Sequence, residues 1–152
     1  MTITYMVPLN ERTKVQMNER LFLDTFFIQA LFNKRDQHHP KAKKFFPRLK
    51  NAQEVWTTEA VLIEIGNALS IYNRDLASTF IGESYTDNQM KIVSVDTVLL
   101  KRGLTLYQER KDKSWGLTDC ISFIVMGDQQ LTDALTADIH FVQAGFRALL
   151  RN

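Results

Sequence analysis

Apolar residues along this chain fall into short blocks divided by polar breaks, and the spacing inside each block assigns it to strand or helix. Leu21-Phe22-Leu23, flanked by polar residues and stopped at Asp24, has the pattern of a buried strand. Thr25 to Asn33 is apolar at helical spacing. Asp36-Gln37-His38-His39-Pro40 breaks it, and Pro40 suits the first turn of a second helix reaching about Leu49, with Phe45, Phe46 and Leu49 facing inward. Val55-Trp56-Thr57 reads as a short strand and Thr58 as the cap of a helix from Glu59 to Tyr72, apolar nearly all round and therefore expected to be deeply buried. Asp75 opens another helix through Ser84. Lys91-Ile92-Val93 is a further strand, with Ser94 or Asp96 capping a helix from Val98 to Arg110. Trp115 to Met126 is helical, Leu131 to Thr136 strand-like, Ile139 to Ala144 a short helix closed by Gly145, and Phe146 to Leu150 a last strand.

Strand and helix thus alternate, which predicts an α/β fold: a three-layer α/β/α sandwich with a mostly parallel central sheet. Residues 1–19 are mixed and polar and read as an N-terminal extension; residues 20–152 read as one domain. A chain of 152 residues supports one sizeable core rather than two. Apolar residues at 45% and charged residues at 24% are ordinary for a globular protein. Cys120 is the only cysteine, so no intrachain disulfide forms, and a reducing, cytoplasmic setting is expected. No apolar run approaches the roughly 20 residues of a membrane span, and the first residues lack the basic-then-apolar layout of a secretory signal. The net charge of +2 permits a polyanionic partner without demanding one.

Most of the seventeen acidic residues sit among other charges. Four do not. Asp24 ends an apolar strand, and Asp138 follows the one near Leu135-Thr136. Glu64 is the only charged side chain between Glu59 and Arg74, and Asp119 the only one between Lys113 and Asp128. Carboxylates are rarely buried unless paired or bound to a cation, and none of these has a basic neighbour in its own element. Asp24 and Asp138 lie at carboxyl ends of predicted parallel strands, where α/β proteins build their sites. A cluster there would repel itself unless neutralised, and a hard divalent cation such as Mg²⁺ takes such oxygen ligands. Simpler readings stay open: Asp24 and Asp138 each suit a helix N-cap, Asp119 the amides at its helix start, and Glu64 solvent or a pairing with Arg74. Capping does not account for Glu64 in mid-helix.

The stretches LFLDTFF, TTEAVLIEIGNAL, WGLTDCISFIVM and LTADIHFVQAGF, in that order, resemble the PIN-domain family, most of all the VapC-like toxins and their stand-alone relatives. The resemblance runs from about Arg20 to Arg151. It implies that Asp24, Glu64, Asp119 and Asp138 are the catalytic acids and hold Mg²⁺ or Mn²⁺, with Glu64 either a ligand or the group that orients the attacking water. It implies an endoribonuclease that cleaves RNA with metal-activated water and leaves a 5′-phosphate and a 3′-hydroxyl. It also implies a homodimer and an inhibiting antitoxin. His140 stands where some members carry a further acid, and Phe26 where members often carry a small polar residue.

RNA needs positive charge beside such a site. The densest basic segment, Lys34 to Lys50, offers Lys41, Lys43, Lys44 and Arg48 as RNA contacts; Trp115, beside Arg110, Lys111 and Lys113, is a candidate stacking platform. The bland alternatives are a solvated helix face and a core tryptophan. His38, His39 and His140 lack zinc-site spacing and read as surface or packing residues. An aspartyl-phosphate phosphatase would carry a second Asp where Phe26 stands. A receiver domain would show an acidic pair and a late lysine, and a DNA flap nuclease more acids on a larger chain. The alternative from another class is a non-catalytic PIN-like module that binds RNA or protein. Leu76, Phe80 and Ile81, with Ile71 and Tyr72 before them, offer more apolar surface than one small core needs, which suits a dimer.

Overall fold

Five strands, all parallel, form the central sheet of the computed structural model, which describes residues 18–151. The expected extension over residues 1–19 therefore lies almost wholly outside the described residues. The strands are β1 (Arg20–Leu23), β2 (Glu54–Thr58), β3 (Met90–Val93), β4 (Asp133–Leu135) and β5 (Arg147–Ala148), in the order β3-β2-β1-β4-β5. The helices are α1 (Thr25–Phe32), α2 (His39–Asn51), α3 (Glu59–Leu69), α4 (Arg74–Ser84), α5 (Thr97–Glu109), α6 (Leu117–Asp128) and α7 (Ile139–Gln143), with a 3₁₀ turn over Leu149–Arg151. Leu21, Phe22 and Leu23 are consecutive and fully buried, so helices cover both faces of the sheet. This is the α/β/α sandwich that the alternation predicts.

From β1 the chain steps outward to β2 and β3, then returns to the other side of β1 for β4 and β5. Right-handed crossovers send α1–α4 to one face and α5–α7 to the other. The contacts agree: α1 packs on α2 and α3, and α3 on α4, whereas α5 packs on α6 and α6 on α7. Gly103 lets α5 and α6 come close, because a Cβ there would lie 2.6 Å from Ile121 Cγ1. Reversal between β1 and β4 makes their carboxyl ends the switch point, where neighbouring connections diverge and leave a crevice.

Local chemistry sets the ends of these elements. Thr58 caps α3 by accepting from the Val61 amide, and of the two candidates before α5 it is Asp96 that caps, accepting from Leu99. Gly145 closes α7 at φ +95°, a conformation that disfavours side chains. Some expectations need correction. α3 ends at Leu69 and is not buried all round: Val61, Leu62, Ile65 and Leu69 face the core, while Ile63 is 64% exposed and Ile71, beyond the helix, 92%. A helix lying on a sheet buries one stripe, and apolar residues off that stripe stay outside. Phe46 is likewise exposed. β5 is only two residues long, because the chain then turns so that the Leu150 amide reaches Thr136 O. Among the described residues no helix is long and apolar enough to cross a membrane.

Candidate functional site

Asp24 follows β1 directly and occupies the N-cap position of α1, yet its carboxylate accepts no bond from that helix. The register pairs Leu23 with Leu135, which sets the next residues, Asp24 and Thr136, side by side. Thr136 Oγ1 donates to Asp24 Oδ2 at 2.8 Å and accepts from the Asp138 amide at 3.1 Å. One hydroxyl thus ties the ends of β1 and β4 together. Thr57 Oγ1 donates to Leu23 O at 2.9 Å and fixes the same end of β1 against β2.

The helices bring the remaining acids. Glu64, on the second turn of α3, accepts from Thr25 Oγ1 at 3.0 Å, beside Asp24. Asp119, in the first turn of α6, accepts from the Gly116 amide at 3.0 Å through Oδ2. Asp138 caps α7, accepting from the His140 amide at 2.9 Å through Oδ1. His140 Nδ1 lies 3.0 Å from Asp119 Oδ2 and 3.4 Å from Asp138 Oδ1. Its Nε2 lies 3.2 Å from Ser114 Oγ. His140, read from sequence as a surface or packing residue, instead joins two of the acids. Its position two residues after a strand-end Asp, at the start of a helix, is the signal that marks it.

In each of the four carboxylates one oxygen is anchored by the protein. Among the described residues no hydrogen bond reaches the other: Asp24 Oδ1, Glu64 Oε1, Asp119 Oδ1 and Asp138 Oδ2. This separates them from Glu59, whose carboxylate is engaged through both oxygens by Tyr85 Oη and the Val95 amide.

Asp24 is 7% exposed, and its pKa is raised from 3.8 to about 7. Burial is the main cause, the charges of Asp119, Asp138 and Glu64 add to it, and the Thr136 hydrogen bond opposes it. Burial and the charge of Asp138 also raise Asp119, against the Gly116 amide and His140. Such a set fits a divalent cation: carboxylate oxygens fixed on one side and open on the other, carrying negative charge that the surroundings disfavour. Donor atoms of Asp119, Asp138 and His140 all lie within 4.8 Å of one another.

The proposed RNA contacts lie elsewhere. Lys43 and Lys44 are exposed on α2 and Lys41 half-buried in its first turn. His38 packs edge-on against Phe26, which brings the start of α2 to the first turn of α1. Arg48 is engaged, donating to both carboxylate oxygens of Glu19 at 2.9 and 3.3 Å. Trp115 is not a stacking platform: it is 6% exposed, its indole donates to Gln143, Phe123 packs edge-on against the ring and the Arg110 guanidinium stands 4.8 Å from its centroid.

A parallel α/β domain with clustered acids at its switch point is the class that fold and geometry define. Residues 21–147 match the PIN domain family, and the chain belongs to it. Among solved structures it is similar to the VapC20 toxin of Mycobacterium tuberculosis, described as cleaving the sarcin-ricin loop, with a TM-score of 0.74 and 24% identity over 84% of this chain and 96% of that one. It is also similar to FitAcB from Neisseria gonorrhoeae, with a TM-score of 0.58 and 14% identity over 84% and 95% of the two chains. At these identities the likeness is one of fold. No curated protein sequence matches the chain.

Proposed function

We propose that the chain is a Mg²⁺- or Mn²⁺-dependent endoribonuclease and acts as the toxin of a toxin–antitoxin pair. The observation that carries this reading is the set of four carboxylates at the switch point, each with one anchored and one free oxygen. Asp24, Asp119 and Asp138 hold the cation. When bound, it stabilises negative charge on the phosphate oxygens and makes water more acidic. Glu64, held by Thr25, completes the ligand set or orients the attacking water and takes its proton. In-line attack of water oxygen on phosphorus breaks the bond to the 3′-oxygen, leaving a 5′-phosphate and a 3′-hydroxyl. Lys41, Lys43 and Lys44 attract the RNA backbone.

Similarity to a toxin supports the toxin role. An antitoxin would present a cationic side chain to the free carboxylate oxygens. An apolar groove of about 490 Å³, lined by Ile28, Leu31, Phe32, Phe46 and Phe80 and edged by Lys43, offers the rest of it a seat on α1, α2 and α4. A second groove of about 510 Å³, lined by Leu62, Ile63, Ile81 and Tyr85, supports a homodimer through α3 and α4.

Digestion of total cellular RNA with end-mapping tests the activity. Cleavage should vanish in chelator, return with Mg²⁺ or Mn²⁺, and be absent in folded Asp24→Asn and Asp119→Asn. RNA binding without cleavage under all metal conditions would instead make the chain a non-catalytic PIN-like module.

A further inference from the structure

We propose that His140 is a nitrogen ligand of the cation and turns the preference of this site from Mg²⁺ toward Mn²⁺. The inference rests on the metal-dependent reading above and adds to it a fifth ligand and a choice of ion. His140 is the second residue of α7, two positions past Asp138, so the cap of this helix fixes both side chains at one end of it. Nδ1 faces the two carboxylates, at 3.0 Å from Asp119 Oδ2 and 3.4 Å from Asp138 Oδ1. Adjacent corners of an octahedron with bonds of about 2.1 Å are about 3 Å apart. Nδ1 thus stands near one ligand spacing from an oxygen of each carboxylate, donor atoms of all three residues lie within 4.8 Å of one another, and each of these amide-bonded oxygens keeps a further lone pair beside the free oxygen of its carboxylate.

The other ring nitrogen is also provided for. Ser114 Oγ lies 3.2 Å from Nε2, and a proton on Nε2 donated to that hydroxyl leaves the Nδ1 lone pair facing the site. An outer partner that settles the tautomer is the usual arrangement behind a metal-bound imidazole. The ring is only partly exposed and, in this tautomer, is held through Nε2 by Ser114, so little freedom is lost on coordination.

Ion choice follows from the donor. Mg²⁺ takes oxygen almost exclusively, and its affinity depends on carboxylate charge. Imidazole adds no negative charge and favours transition ions, Mn²⁺ above Mg²⁺. An acid at position 140 would make the site an all-oxygen one suited to Mg²⁺; histidine makes it mixed.

The test uses the full chain loaded with Mn²⁺ and pulsed electron paramagnetic resonance. Wild type should show ¹⁴N modulation from a directly bound imidazole, and His140→Asp and His140→Asn should lose it. Competition of Mg²⁺ against bound Mn²⁺ should show that His140→Asp lowers the Mn²⁺ preference about tenfold or more, at least the scale on which the outer partner of a metal ligand acts. Wild type needs no variant to be informative: bound Mn²⁺ without ¹⁴N modulation, at a site lost in Asp119→Asn, overturns the role of His140 and leaves the carboxylate site standing. No Mn²⁺ binding, or binding indifferent to Asp119→Asn, overturns both readings.

Discussion

Replacing Asp24 by asparagine probes the site without an assay of activity. Asparagine keeps the shape and the acceptor that Thr136 Oγ1 requires, and removes a charge that burial and the facing Glu64, Asp119 and Asp138 disfavour. The carboxyl group ionises near 3.8 in the unfolded chain and near 7 in the fold. Between those values the folded state keeps a proton that the unfolded state has lost. The contribution of Asp24 to stability is therefore greatest below pH 4 and falls as pH rises toward 7, where the full penalty is reached. A gap of about 3 pKa units at about 1.4 kcal/mol each makes that penalty about 4 kcal/mol.

At pH 5 only the part accrued above 3.8 applies, about 2 kcal/mol. Each kcal/mol moves the Tm of a domain this size by about 2–4 °C. In chelator, Asp24→Asn should therefore melt roughly 10 °C above wild type at pH 8 and about 5 °C above it at pH 5. With Mn²⁺ at about 100 times its Kd, wild type should recover about 2.7 kcal/mol that the variant does not. Thermal melts at two pH values, with and without Mn²⁺, read all of this. A variant less stable than wild type at pH 8 in chelator, or a gain equal at both pH values, would refute the reasoning.

Three further outcomes are expected. Replacing Lys41, Lys43 and Lys44 by serine, with Arg48 left on Glu19, should weaken RNA binding and flatten the salt dependence by about 2 in log–log slope, measured by fluorescence anisotropy in chelator. Gly103→Val should cost at least about 2 kcal/mol by forcing α5 off Ile121, whereas Gly82→Ala, with nothing within 4 Å, should stabilise α4 by up to about 1 kcal/mol; urea melts compare them. Expression of wild type, but not of Asp24→Asn, should arrest growth, and a neighbouring gene product should relieve it.

The fold was largely legible because its signals are local. Leu21-Phe22-Leu23 is too short and too apolar for anything but a strand buried on both faces, Thr58 announces the helix it caps, and Asp96 is one of two residues that mark the start of α5. Ends decided by tertiary pairing were less so. β4 is confined to Asp133–Leu135 because only those residues face β1, although Leu131 to Thr136 all have strand character. Sequence pattern makes α3 too long for a related reason: apolar residues at Ile63, Ile71 and Tyr72 belong to the outer surface, and periodicity alone does not say which of two apolar stripes faces the sheet.

The acids show where sequence reasoning runs out in a more instructive way. Capping and ligation are not rivals at Asp138: Oδ1 caps α7 while Oδ2 stays free. Asp119 does the same with the Gly116 amide. Asp24, which suits a cap in sequence as well as Asp138 does, does not cap at all, because pairing with Thr136 depends on a strand register between residues 112 positions apart. What the alternation of elements does imply is convergence. Asp24 and Asp138 flank the switch point because they end its two strands. Glu64 and Asp119 reach it because α3 and α6 begin at the same end of the sheet, one in each helical layer, and meet there. Four carboxylates far apart in the chain are brought together by the reversal in strand order, so that same reversal concentrates the negative charge that a divalent cation is proposed to neutralise.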